Sequence, residues 1–296
     1  MSKAQNTTLG FIGRIAGQGI TFYRRRGKII ARTSTRAVSD KQSLGQFKTR
    51  EKMRHSIALW KSFCSTYKPL MTASDGAIAY NAFLRANSAL PTVYLTKQQA
   101  RQGAALLMPR MVVSEGRLPA VEYDFAVLGS GERVVLTNLL TVIDEGETHE
   151  LAIGCNDDLR QLICSRSRNP HLMPGDKVRF YHFEQRMQDD CPKVVVNCCE
   201  LALDNDPRQN SALQGWQFYS HDGRLAIGGA DDENTGWAVV LFGEKEQSAS
   251  TQKVLTTCRL YEQYTTDEAL VQAAESYGNV EKPDMLTPDL PKRKMD

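Results

Sequence analysis

The sequence predicts a mixed α+β protein that is mostly β. An N-terminal β-hairpin and helices are followed by an antiparallel, Ig-like β-sandwich region. Three observations predict this. Apolar residues recur at helical intervals in the first third of the chain. From Val121 the period changes to two, in short runs separated by turn signals at spacings of about 8–12 residues, the pattern of antiparallel sheets rather than βαβ units. And 41% hydrophobic with 24% charged residues over 296 positions is enough apolar material for a sizeable core.

Each element has its local reason. After four glycines between Gly10 and Gly19, Ile20 and Phe22 alternate with polar neighbours, and Ile29, Ile30 and Ala31 follow "RRRGK". This is a hairpin with Gly27 in the turn, where positive φ costs glycine little. Ser39 opens a predicted helix with Gln42 at capping-box spacing. Leu44, Phe47, Met53, Ile57, Trp60 and Cys64 are expected on its buried face, and Pro69 ends it. A second helix is expected from Asp75 to about Ala86. "LPTVYLTK" (90–97) reads as extended, and "MVVSEGRLP" (111–119) as a strand and glycine turn.

Strands are expected in "VEYDFAV", "RVVLTNLLTVI", "HELAIGC", "RQLICS", "DKVRFYHFE" and "KVVVNCCELAL". A later set comprises "GWQFYSHDG", "RLAIGG", "GWAVVLFG" and "QKVLTTCRLYEQY". "GSGE", "DEGE", "MPGD" and "DDCP" mark turns. A last helix runs from Asp267 to Tyr277, with Thr265 and Glu268 at capping-box spacing and Gly278 placed as its terminal glycine. "EKPDMLTPDLPKRKMD" has the composition of a disordered tail. The expected organisation is a basic hairpin-plus-helix docking domain over 1–118, a β-sandwich over 119–204, a second β-rich segment over 205–280 and the tail over 281–296. The break after 204 rests on "LDNDPRQNSA".

Charge is unevenly distributed. Residues 1–118 carry 20 Lys/Arg and 4 Asp/Glu, a net of +16; the remainder carries 17 and 30, a net of −13. Such asymmetry points to a basic partner-binding half. Arg24, Arg25, Arg26, Lys28, Arg32 and Arg36 on the hairpin, with Lys48, Arg50, Lys52 and Arg54 on the helix, are the candidate contacts. They suit acidic protein surfaces or phosphates, and binding to either is salt-sensitive. Two further readings explain the same pattern: a solvated basic face, and like molecules packed basic half to acidic half.

Catalytic signatures are missing. The sequence has no phosphate-cradling Gly-Lys-Ser/Thr loop, no Gly-x-Ser-x-Gly elbow, no His-Glu-x-x-His and no Cys-x-x-Cys. "GSGER" (129–133) lies between two expected strands and reads as a hairpin turn. Cys198 and Cys199 are adjacent, so a strand points them to opposite faces. His182 and Cys191 make half a zinc site. "GGADDENTG" (228–236) lacks the alternate ligand spacing of a calcium loop. Seven cysteines at irregular spacings fit reduced thiols rather than a disulfide framework. No enzyme activity, cofactor or metal is expected. No apolar run reaches the roughly 18 residues of a membrane span, and none follows basic residues as in a secretory signal. A glycan-binding adhesin, which needs export, is disfavoured on that ground.

Two stretches carry a resemblance: "GRIAGQGITFYRRRGKIIARTSTRAVSDKQSLGQFKTREKMRHSIALWKSF" (13–63) and "NSALPTVYLTKQQARQGAALLMPRMVVSEGRLPAV" (87–121). They resemble a bacteroidete- and phage-associated family known only as a domain of unknown function. Gly13, Gly17, Arg24, Gly27, Arg32, Gln46, Arg50 and Trp60 are the matching positions. Phe11-Ile12-Gly13-Arg14 departs from the family's Ser-Gly-Lys, and "TSTRAVSDK" lacks its prolines. The family offers no catalytic residues to carry over. The resemblance implies a non-enzymatic component of a phage or mobile element, located in the virion, or in the bacterial cytoplasm before assembly. Its expected partners are other copies of itself or other virion proteins. Nucleic acid is the alternative partner, and no membrane is expected.

Overall fold

The structure is a computed structural model that describes residues 13–14, 20–25, 27–33, 43–67, 70–71, 79–141, 148–151, 173, 175–202, 216–243 and 245–278. It is a mixed α+β protein, mostly β, with antiparallel sheets. The chain divides into two compact units, Met1–Gln42 and Ser43–Asp296.

The first unit is a small antiparallel sheet of β1 (Gly13–Arg14), β2 (Ile20–Arg25) and β3 (Lys28–Thr33). Gly27 has φ +77°, as the turn between β2 and β3 requires.

The second unit is layered. One sheet has the order β5 (Tyr123–Val127), β6 (Arg133–Leu140), β11 (Arg224–Ile227), β10 (Phe218–His221), β7 (Thr148–Leu151). The other has the order β13 (Ser248–Ala249), β12 (Thr235–Gly243), β8 (Lys177–Gln188), β9 (Cys191–Ala202), with β15 (Leu255–Thr256) also paired to β12. β4 (Val112–Ser114) pairs with β14 (Gln252–Lys253). Pairing crosses the expected boundary at residue 204: β10 and β11 hydrogen-bond to strands of the 119–204 segment, and β12 pairs with β8 along its length.

The β12–β8–β9 sheet is covered on both faces. Val178, Phe180, Cys199, Trp237, Val239 and Leu241 face the first sheet, and Tyr181, Phe183, Val194, Ala238, Val240 and Phe242 face the helices. All nine residues of β12 are therefore buried, and the strand reads as a continuous apolar run instead of an alternation. Each large apolar side chain buried in these two interfaces contributes about 1.5–3 kcal/mol. Cys198 and Cys199 fall on opposite faces, as their adjacency predicts. β8 and β9 are joined by Asp189 and Asp190, both in the left-handed region (φ 49° and 58°), the geometry of a tight hairpin turn.

The helical layer comprises α1 (Leu44–Tyr67), α2 (Ala79–Ala86), α3 (Lys97–Arg101), a 3₁₀ turn over Leu260–Tyr264 and α4 (Asp267–Tyr277). Several expectations need correction. The described helix α1 opens after Ser43, whose Oγ accepts from Gln46 N at 3.4 Å; Ser39 and Gln42 lie outside the described residues. Its buried stripe is Phe47, Glu51, His55, Leu59 and Phe63, while Met53 is 44% exposed. A strict four-residue spacing with two polar members hid this stripe from a hydrophobic pattern. "LPTVYLTK" ends in a capping box that starts α3: Thr96 Oγ1 accepts from Gln99 N, and Gln99 Oε1 accepts from Thr96 N. α4 is capped by Thr266, not Thr265, with Ala269 N donating at 3.2 Å; Gly278 closes it at φ +75°. "LYEQY" is a 3₁₀ turn rather than strand. "RQLICS", "DEGE", "LDNDPRQNSA" and the tail lie outside the described residues.

Candidate docking surface

The hairpin carries its cations at the turn. The register sets Arg25 opposite Lys28, Arg24 opposite Ile29 and Arg32 opposite Thr21; Lys28 is exposed. Two basic residues thus stand at directly paired positions beside the turn. Arg26 and Arg36 lie outside the described residues.

In the second unit, α1 presents Lys48 and Arg50 to solvent, while Lys52 and Arg54 are half-buried. Arg54 is committed internally. Its Nη1 donates to Oε1 of the buried Glu51, and its guanidinium lies 4.4 Å from the Tyr277 ring centroid. Burial pushes the Glu51 carboxyl up and Arg54 pulls it back down. Tyr277 is in turn packed edge-on against Phe47, 5.5 Å between centroids, within the cluster that fixes α4 to α1.

The sequence reading did not single out the trench beside this arrangement. A cleft of about 410 Å³ runs between α1 and α3 and is closed by Tyr277. α1 contributes Arg54, Ile57, Ala58 and Lys61, and α3 with its exit contributes Lys97, Ala100, Arg101 and Gly103. The floor is small and apolar, the rim is basic, and no described carboxylate lines it. The four-residue spacing of Lys97 and Arg101 puts both on one face of α3. Once α3 is read as a helix this spacing is visible in "TKQQAR"; read as extended, it is not. α3 is positioned by its capping box, by Lys97 N donating to Ser276 Oγ at 2.8 Å, and by Gln99 Nε2 donating to Asp190 O at 3.0 Å.

The groups most able to do chemistry are bound into packing. His55 is buried, and its Nε2 accepts from Leu106 N at 3.1 Å; burial lowers its pKa to about 4. Gln185 Oε1 accepts from Leu107 N at 2.7 Å, and Pro192 O accepts from Ala105 N at 2.9 Å. These three acceptors satisfy three backbone donors of a buried, irregular segment, Ala104–Met108, and Gln99 O takes a fourth from Ala104 N; such donors are costly to bury without partners. Burial pushes the Cys198 thiol up to about 11 and raises Cys199 and Cys258, so these cysteines carry little thiolate at neutral pH. Cys191, Cys198, Cys199 and Cys258 are free thiols. Among the described residues no three His, Cys, Asp or Glu side chains gather to hold a metal ion. Asp231 and Asp232 spend carboxylate oxygens on Arg133 N and Asn234 N, which shapes the loop. No described helix is long and apolar enough to cross a membrane.

No family model matches the chain, and neither a curated protein nor a solved structure matches it.

Proposed function

We propose that this chain is a non-enzymatic assembly protein of a phage or phage-like mobile element, docking to acidic faces of neighbouring subunits through its basic side chains. One observation carries the docking part: α1 and α3 concentrate exposed cations. Lys48, Arg50 and Lys61 on α1 and Arg101 on α3 are exposed, as is Lys28 on the hairpin, and no described carboxylate lines the trench between α1 and α3, whereas α4 carries exposed Asp267, Glu268 and Glu275. Segregation of this kind sets register and partner choice between subunits more than raw affinity. The phage setting, in the virion or in the cytoplasm before assembly, rests on the resemblance in residues 13–63 and 87–121. The buried state of His55 and the suppressed thiols support a role without catalysis.

Nucleic acid is the second reading, favoured by the like-charged pair Arg25 and Lys28 at the hairpin tip. Fluorescence anisotropy with labelled single- and double-stranded oligonucleotides separates the two. The assembly reading expects no saturable binding near physiological salt. Saturable binding whose salt dependence flattens in R24Q/R25Q/R26Q would transfer the basic residues to phosphate recognition.

A further inference from the structure

We propose that the trench between α1 and α3 receives the β8–β9 hairpin tip of a second copy of this chain, closing a two-fold dimer. This inference rests on the docking reading above and names its partner.

The trench is amphipathic. Ile57, Ala58 and Ala100 form a floor that small side chains leave open, and Lys61, Lys97 and Arg101 stand over it. A phosphate backbone would meet the rim and leave the floor uncovered. The better complement is an apolar side chain next to carboxylates, and the chain supplies one. Met187 is 53% exposed at the end of β8, beside exposed Asp189 and Asp190 in the turn. Alternation along β8 puts Met187 on the same face as Tyr181 and Phe183, the side of the helical layer. The unbroken β8–β9 register, from Lys177↔Ala202 to Gln188↔Cys191, fixes the tip in advance, so little order is lost on docking.

Placement favours a closed pair over an open chain. Gln99 of α3 donates to Asp190 O, and the next two residues, Ala100 and Arg101, line the trench. The bond from Ala105 N to Pro192 O holds the tip beside its own trench. Tip and trench flank α3, so a two-fold axis beside α3 brings each tip to the other copy's trench. That is the self-complementary arrangement of an isologous dimer.

Sedimentation velocity on the full chain tests this at about 0.05 M and about 0.5 M NaCl, over which screening shortens severalfold in range. The wild type is expected to be a dimer at low salt and to shift toward monomer at high salt. K61E/R101E and D189N/D190N, with wild-type melting temperatures, should each weaken the dimer by about tenfold or more. Asn suits the left-handed backbone of the turn. An equimolar mixture of the two variants regains one of the two contacts and should dimerise more than either alone. A wild-type dimer that survives both substitutions overturns the trench while leaving subunit docking standing. A wild type that is monomeric at both salts overturns this dimer, and oligonucleotide binding that K61E/R101E abolishes reassigns the trench to phosphate.

Discussion

His55 is the residue whose chemistry is most constrained. It is buried on α1 and can accept from Leu106 N only while Nε2 is unprotonated. Its pKa falls from 6.5 to about 4 in the folded protein because burial penalises the cation. The unfolded chain therefore takes up a proton between these values and the folded chain does not. The neutral histidine's stabilisation is complete above pH 6.5 and is lost as the pH falls toward 4. The full loss is about 3 kcal/mol. H55Q keeps an acceptor and removes the titration. Urea unfolding of both proteins across this range should show the stability difference flat above neutrality and shifting against the wild type by about that amount on acidification. A pH-independent difference would refute the assignment.

At the scale of elements, the close approaches are as decisive as the strands. A Cβ on Gly116 would lie 2.0 Å from the Ala249 carbonyl oxygen, a backbone atom that cannot rotate away. This glycine lets the chain after β4 pass against β13, next to the bond from Leu118 N to Ala249 O. G116A should cost about 2–3 kcal/mol, read as a lower urea midpoint at unchanged slope. A melting curve matching the wild type would show that this approach is not needed. Elements of this kind set what a sequence reveals. The hairpin with Gly27, strands β5 to β12 and Gly278 at the end of α4 are announced by local chemistry, period or turn residue. The stripe Phe47, Glu51, His55, Leu59 and Phe63 is not, because a glutamate and a histidine enter the core, Glu51 paired with Arg54 and His55 with Leu106 N, a partner remote in sequence. Nor is Ala104–Met108, an apolar run whose lack of regular structure is tolerated because Gln99, Pro192, His55 and Gln185 accept from four of its backbone donors.

Over the whole molecule, the charge split of +16 against −13 was legible from composition, and the candidate cations on α1 were legible from spacing. Which cations face solvent was not. Arg50 is exposed, whereas Arg54 is half-buried and packs with Glu51 and Tyr277. The trench was hidden for a different reason: it joins residues 54–61 to 97–103 and to Tyr277, a juxtaposition that only tertiary packing creates. The exposed cations of α1 and α3 make electrostatic docking the central claim. Light scattering on a sizing column tests it most directly, at low and high salt, with the ultraviolet absorbance ratio reporting any nucleic acid. The account predicts a defined oligomer free of nucleic acid at low salt, dissociating at high salt. A monomer that carries nucleic acid at low salt and sheds it at high salt would contradict it.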